Sequence, residues 1–257
     1  MASWLKGRGT EIVGVVVHPP ERRRFAEEVV QSTGVEPSAV FDGSRLRKPG
    51  FVSGLRELNA DIGVSVSFGY ILAREVLEIF PAGCINVHTG FLPYNRGAYP
   101  NVWSIVDRTP AGVAIHYIDE GIDTGDIIAR RELPVEPVDT GASLFEKLEG
   151  AALSLFQETW PLLLEGRAPR IHQNPSEGTC HRVADVARID EIDLNRNYRA
   201  GDLIDVLRAR SFAPHAGAFF QSGGRRVLLS LDLRYEGDDR VNEPAERTSP
   251  EQEKRQA

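Results

Sequence analysis

Apolar positions in this chain fall into short blocks separated by turn residues, and the blocks alternate between strand-like runs and helix-like spacings. Glu11 to Val17 is apolar and rich in β-branched residues, which predicts a buried strand ending at His18-Pro19-Pro20. A helix is expected from about Arg22 to Gln31 and another, after a mixed stretch beyond Gly34, from Phe51 to Leu58. Ile62 to Phe68 reads as a second strand and Arg74 to Ile79 as a short helix stopped before Pro81. Strand, helix and strand at this spacing favour a parallel α/β sheet. Ile85-Asn86-Val87-His88 predicts the next strand, Pro100 to Val106 a helix, and Ala111 to Ile118 another strand. Leu144, Leu148, Ala152, Leu155 and Trp160 recur on one helical face with Thr140 as its cap, giving the longest expected helix and a cover for the sheet. Arg170 to Asp185 is mixed and is expected to cross between layers. Leu203, Ile204 and Leu207 mark a short helix, and Ala218 to Phe220 with Val227 to Leu231 form a hairpin around Gly223-Gly224.

Two loops interrupt this pattern with polar chemistry. Thr89 to Gly97 is dense in turn residues, and Asp119 to Asp126 packs four acids and two glycines between a strand and the apolar Ile127-Ile128. Ligands gather beyond the carboxyl ends of strands in a parallel α/β sheet, so loops that both follow strands can face one crevice.

Composition narrows the class. With 41% hydrophobic and 26% charged residues the chain is an ordinary globular one, and its formal charge of −7 argues against a nucleic-acid partner, whose affinity comes from Lys and Arg on phosphates. No apolar run has the length of a membrane span or signal-peptide core, so a cytoplasmic location is expected. Two cysteines, Cys84 and Cys180, make no disulfide framework, and Cys84 sits in an apolar run as a packing thiol.

Asn86 and His88 are two apart on a predicted strand and project to one side; with Val87 packed into the sheet, both can look toward solvent at the strand's end. Asp123, from the acidic loop, can reach either. Such a trio suits acyl transfer: His moves a proton near neutral pH, Asp orients it, and Asn donates to a developing oxyanion, a contact whose loss costs about 3 kcal/mol in one studied enzyme. Taken singly, Asn86 could equally satisfy a turn amide, His88 be a structural histidine, and Asp123 cap its own loop.

The order and spacing of Ile85-Asn86-Val87-His88, Phe91-Leu92-Pro93, Arg96-Gly97 and Asp119-Glu120-Gly121-Ile122-Asp123-Thr124-Gly125 resemble the active-site pattern of the 10-formyltetrahydrofolate-dependent formyltransferase family. The likeness runs from about residue 11 to 231, since Phe212 to Ala218 resembles the start of that family's small C-terminal region. It implies a Rossmann-like α/β catalytic domain over residues 1–185 and a small C-terminal α+β appendage over 186–234, while the nearly all-polar composition of 235–257, with Pro244 and Pro250, predicts a disordered acidic tail. Relatives place a strand, a glycine-containing turn and a long helix ahead of the Glu11 to Val17 strand, whereas ten residues precede it here. The expected sheet lacks the usual first strand, either because the sequence begins late or with the edge repaired by the N-terminal segment or a partner chain; left unrepaired, neighbouring strand edges would be unpaired and folate affinity reduced.

The resemblance makes Asn86, His88 and Asp123 the essential trio and implies 10-formyltetrahydrofolate as formyl donor, with no metal. Phe68, Tyr70, Ile71 and Leu72, with Ile118, Asp119, Glu120, Gly121 and Ile122, would hold the pterin, although Ala73 stands where relatives often have proline. Tyr94, Asn95, Arg96 and Asn101 would line the acceptor side, with Arg96 able to pair with an anionic group. These residues look closer to the sugar-nucleotide branch than to the tRNA branch, whose larger nucleic-acid-binding domain has little room after residue 234. The implied activity is formyl transfer to a small primary amine, foremost a nucleotide-linked amino sugar. Hydrolysis of the formylated folate and a folate or nucleotide binder with impaired catalysis are the alternatives. Homodimerisation is expected if Phe219 and Phe220 of the hairpin are buried between chains rather than within one.

Overall fold

A computed structural model describes residues 1–19, 25–48, 50–174 and 176–238. The first half contains α1 (Ala2–Gly7), β1 (Val15–Val17), α2 (Ala26–Thr33), β2 (Val40–Asp42), α3 (Phe51–Glu57), β3 (Gly63–Val66), α4 (Arg74–Leu77), β4 (Cys84–His88), β5 (Arg96–Gly97) and α5 (Pro100–Val106). Then follow β6 (Ala111–Tyr117), β7 (Ile127–Leu133), α6 (Gly141–Leu164), β8 (Cys180–His181), α7 (Ala187–Asp190), α8 (Ala200–Ala209), β9 (Phe219–Ser222) and β10 (Arg225–Leu228). The expected start of the second helix at Arg22, and the tail from 239 onward, lie outside the described residues.

The central sheet runs β3-β4-β6-β7 and is mixed, not parallel as the strand and helix spacing suggested. β3 and β4 are parallel, whereas β4 with β6 and β6 with β7 are antiparallel. The reason lies in α5, which at seven residues is about 10 Å long by the helical rise and returns the chain into the sheet near where β4 ended. Among the described residues β1 pairs with β2 alone, in parallel, and this pair forms a separate piece of sheet. The two pieces share one apolar cluster: Val16 of β1 and Phe41 of β2 pack with Leu55, Leu72, Val76 and Cys84. Burial pushes the Cys84 thiol up to about 12, as befits a packing group.

Strand alternation sorts β4 into two faces. Ile85 and Val87 enter the main core beneath α5 and α6, which leaves Asn86 and His88 on the opposite face. The long helix α6 begins where the cap was expected: Thr140 Oγ1 accepts from the Ser143 amide at 3.2 Å, and Ser143 Oγ accepts from the Thr140 amide at 3.0 Å. Its stripe Leu144, Leu148, Ala152, Leu155, Phe156 and Trp160 packs against Ile85, Val87, Val113 and Ile115, fixing the sheet on which the polar face stands. β7 and β2 are strands that the apolar pattern did not separate from their neighbouring loops. The stretch after α6 crosses back over the sheet, where Ile171 exchanges backbone hydrogen bonds with Ile127 and Cys180–His181 pairs with Arg96–Gly97.

Candidate active site

β4 and β6 are antiparallel, so the Thr89 to Gly97 loop and the Asp119 to Asp126 loop leave opposite ends of that pair. They meet nonetheless, because the acidic loop folds back over the polar face. Asp123 takes a left-handed φ of 52° there, and its Oδ2 accepts from the Gly97 amide at 2.8 Å. Gly97 is itself at φ 88°, and a Cβ on it would run into the His181 carbonyl of the adjoining β8. That backbone position requires glycine.

Asn86, His88 and Asp123 converge. Asn86 Nδ2 lies 3.4 Å from Asp123 Oδ1, and His88 Nδ1 lies 3.6 Å from Asp123 Oδ2. His88 Nε2 is 2.9 Å from the Asn95 carbonyl oxygen, so both ring nitrogens face acceptors. The expectation that His88 looks out to solvent needs correction: it is only 7% exposed, closed in by the loop that Asn95 anchors.

A fourth side chain belongs to the cluster. His116 on β6 is register partner to Asn86, 1% exposed, with Nε2 at 3.2 Å from Asn86 Nδ2 and 3.3 Å from Asp123 Oδ1. Its Nδ1 lies 2.8 Å from the Tyr117 carbonyl oxygen, and its Nε2 faces both Asn86 and Asp123, accepting from the Asn86 amide or donating to the Asp123 carboxylate according to where the ring carries its protons. A β-bulge at Ile115/His116, where β6 meets β7, sits beside it, the kind of irregularity that re-aims a side chain. The sequence signal for His116 was a polar residue inside an otherwise apolar strand.

Electrostatics separate the two principal titrating groups. Burial lowers the His88 pKa below its ordinary value, and the attraction of Asp123 and the Asn95 hydrogen bond offset only part of that. Burial works against the charge on Asp123, yet His88, His116 and the Gly97 amide outweigh it and hold the carboxyl well below the usual range. Near neutral pH the pair is a carboxylate beside an imidazole that can take up and release a proton.

The outer residues divide. Phe68 and Tyr70 form a ring cluster with His18 at centroid distances of 5.2 to 5.6 Å, and Ile71 and Ile122 are exposed. Leu72 is instead a core residue, packed with Leu46, Phe51 and Val76, so its side chain is unavailable to a ligand. Asp119 Oδ1 is taken up by its own loop, accepting from the Gly121 amide and Thr124 Oγ1. Ile118 packs against the Leu72 cluster, whereas Glu120 and Gly121 lie at the exposed turn. On the acceptor side, Tyr94 and Arg96 are half-buried, and Arg96 Nε is buried with no hydrogen-bond partner among the described residues. Asn95 and Asn101 do not line that side. Asn95 is wholly buried and bonds Ser104, Thr109 and Thr179, while Asn101 Nδ2 donates to the Gly141 carbonyl. Asn95 ties its loop to α5 and to the crossing after α6, and Asn101 ties α5 to the start of α6.

An Asn, His and Asp cluster on the polar face of an α/β sheet, with the His buried and the Asn and Asp half-buried, defines a class of protein equipped for proton-coupled acyl-group transfer. This chain belongs to the formyl transferase family, whose sequence model matches residues 5–159, and residues 185–235 match the N-formyltransferase dimerization C-terminal domain. Among curated relatives, a methionyl-tRNA formyltransferase of Agathobacter rectalis is 37% identical over 174 residues, covering 65% of this chain and 56% of its own length. One of Myxococcus xanthus is 35% identical over 225 residues, covering 87% and 67%. The chain thus spans between half and about two thirds of these relatives. Among solved structures, a 4-N formyltransferase from Francisella tularensis is 27% identical with a TM-score of 0.76, covering 91% of this chain and 93% of that one. The formyltransferase PseJ from Anoxybacillus kamchatkensis, in complex with UDP-4,6-dideoxy-4-formamido-L-AltNAc and tetrahydrofolate, is 34% identical with a TM-score of 0.53, covering 67% and 87%. No helix among the described residues is long and apolar enough to cross a membrane.

Proposed function

We propose that this chain transfers the formyl group of 10-formyltetrahydrofolate to a primary amine on a small acceptor, foremost a nucleotide-linked amino sugar. The observation that carries the chemistry is the meeting of Asn86, His88 and Asp123 at one partly buried point. The neutral amine attacks the formyl carbon, the new C–N bond forms, and the bond to the folate nitrogen breaks after a proton has passed from amine to folate. His88 carries that proton, since its lowered pKa leaves it free to accept one and Asp123 then stabilises the imidazolium. Asn86 donates to the oxyanion; its amide hydrogens point at His116 and Asp123, and the longer contact to Asp123 is the one exchanged. Phe68, Tyr70, Ile71 and the backbone of 118–122 would receive the pterin, and Tyr94 and Arg96 the acceptor, with the unpartnered Arg96 Nε suited to an anionic group.

The sugar-nucleotide reading is supported by the nucleotide sugar in the PseJ complex, and the likeness to the Francisella 4-N formyltransferase along nearly all of both chains supports N-formyl transfer. The match at 185–235 supports a homodimer. The identity to methionyl-tRNA formyltransferases favours aminoacylated tRNA as a second reading, which the net charge of −7 weighs against. Mass spectrometry of the purified protein with 10-formyltetrahydrofolate, a panel of amino-sugar nucleotides, methionyl-tRNA and an amine-free control tests both. A sugar nucleotide heavier by one formyl group is the expected product. Formylated tRNA alone would replace the acceptor, and formate release without any acceptor would replace transfer by hydrolysis.

A further inference from the structure

The crossing that follows α6 touches the catalytic cluster from two sides. Gln173 is 6% exposed, and its Nε2 donates to the carbonyl oxygens of both Asp123, at 2.9 Å, and Gly125, at 2.7 Å. Two carbonyls converging on one nitrogen need a donor with two hydrogens, which a side-chain amide supplies and a hydroxyl does not. The residue so held is Asp123, whose left-handed φ of 52° is a conformation that a side chain with a Cβ adopts only under constraint.

On the other side, Thr179 Oγ1 accepts from the Asn95 amide at 2.8 Å and lies 3.2 Å from Asn95 Oδ1, to which it donates. Asn95, also left-handed at φ 57°, presents the carbonyl that His88 Nε2 meets at 2.9 Å. The backbone completes the attachment: Arg96 N donates to Thr179 O at 3.0 Å, and Ala98 N to His181 O at 2.8 Å.

We propose that Gln173 and Thr179 are positioning residues of this active site, Gln173 holding the Asp123 loop and Thr179, through Asn95, holding the His88 ring, so that one crossing sets the separation of the two. Both residues lie between the matched stretches 5–159 and 185–235, so neither family match assigns them a role. The inference rests on the formyl-transfer reading of the cluster for its kinetic test, and on geometry alone for its spectroscopic one.

Four variants test it: Gln173→Met, Gln173→Glu, Thr179→Val and Thr179→Ser. Gln173→Met and Gln173→Glu keep the shape but lose the double donor; Thr179→Val keeps the shape but loses the hydroxyl, and Thr179→Ser restores it. Displacing a catalytic group by a fraction of an ångström is enough for kcat to fall about tenfold or more in the first three, while KM for the folate donor stays within about threefold and the serine variant stays within about threefold of the parent. The second readout is an NMR titration of the His88 imidazole, assigned with His88→Gln. That ring faces the Asp123 carboxylate from the loop and the His116 imidazole from β6. Loosening Asp123 or the Asn95 carbonyl weakens what favours the imidazolium, so the titration moves to lower pH in Gln173→Met and Thr179→Val and stays in place in Thr179→Ser. An unchanged kcat and unchanged His88 titration in folded variants would overturn the proposal, as would equal losses in kcat, donor affinity and melting temperature. If Gln173→Met fails to fold, the valine and serine pair at 179 decides. A parent protein that formylates no amine defeats the functional reading instead, and the His88 titration then decides the positioning role by itself.

Discussion

At the scale of single residues, the cluster works by giving two titrating groups opposite tasks in one low-dielectric place. His88→Ala removes the proposed proton carrier but little of the ligand-facing surface, since the ring is buried. Its kcat is expected to fall by about a thousandfold while the dissociation constant for folate changes by less than about threefold. Equal losses in rounds of turnover and equilibrium binding would make His88 structural. The same burial predicts a pH dependence of stability. As pH falls through the ordinary imidazole value of 6.5, the unfolded chain binds a proton at His88 that the folded chain refuses, so stability declines from there downward. Asp123 acts at lower pH: its depressed pKa contributes stability that is present above 3.8 and is lost as the carboxyl is protonated below that value. Urea unfolding across pH should show both steps, and His88→Gln should flatten the upper one and also shrink the lower, because His88 is the largest of the influences that depress the Asp123 pKa. An upper step of unchanged size in that variant would assign it to other histidines.

At the scale of elements, the site depends on α6, which holds the sheet under β4 and β6 without touching the chemistry. Its N-terminus is secured by the Thr140 and Ser143 exchange and by Asp139, which accepts from Ser143 Oγ at 3.0 Å and from Lys147 Nζ at 2.8 Å. Thr140→Ala is expected to cost about 1 kcal/mol, read as a lower urea midpoint at constant slope, with Thr140→Ser close to the parent. A change in slope instead would mean that the cap affects the unfolded chain. The antiparallel entry of β6 is the other element-scale determinant. It puts His116 opposite Asn86, which a parallel neighbour reached by a longer crossing would not do at this register.

At the scale of the molecule, β10 is exposed along its whole length, with Leu228 60% exposed and Val227 beside it. Together with the dimerization-domain match, this predicts a dimer that buries the hairpin, and Leu228→Asp should shift sedimentation toward the monomer. A monomeric parent, or an unshifted variant, would locate the interface elsewhere or remove it. The pattern of apolar positions by itself determined α3, α5, α6, β4, β6 and the hairpin, because each is specified by periodicity and punctuation within its own few residues. Spacing on one strand and one acidic loop brought Asn86, His88 and Asp123 forward only as candidates; the resemblance of the stretches around them to the formyltransferase pattern is what singled them out. What only the tertiary structure decided were the mixed sheet, the enclosure of His88, the withdrawal of Asn95, Asn101 and Leu72 into packing, and the parts taken by His116, Gln173 and Thr179. Those contacts join positions 30, 50 and 84 residues apart in sequence, Asn86 with His116, Asp123 with Gln173 and Asn95 with Thr179. No local period encodes such pairings; strand register and the path of a crossing do, and both are set by how the whole core packs.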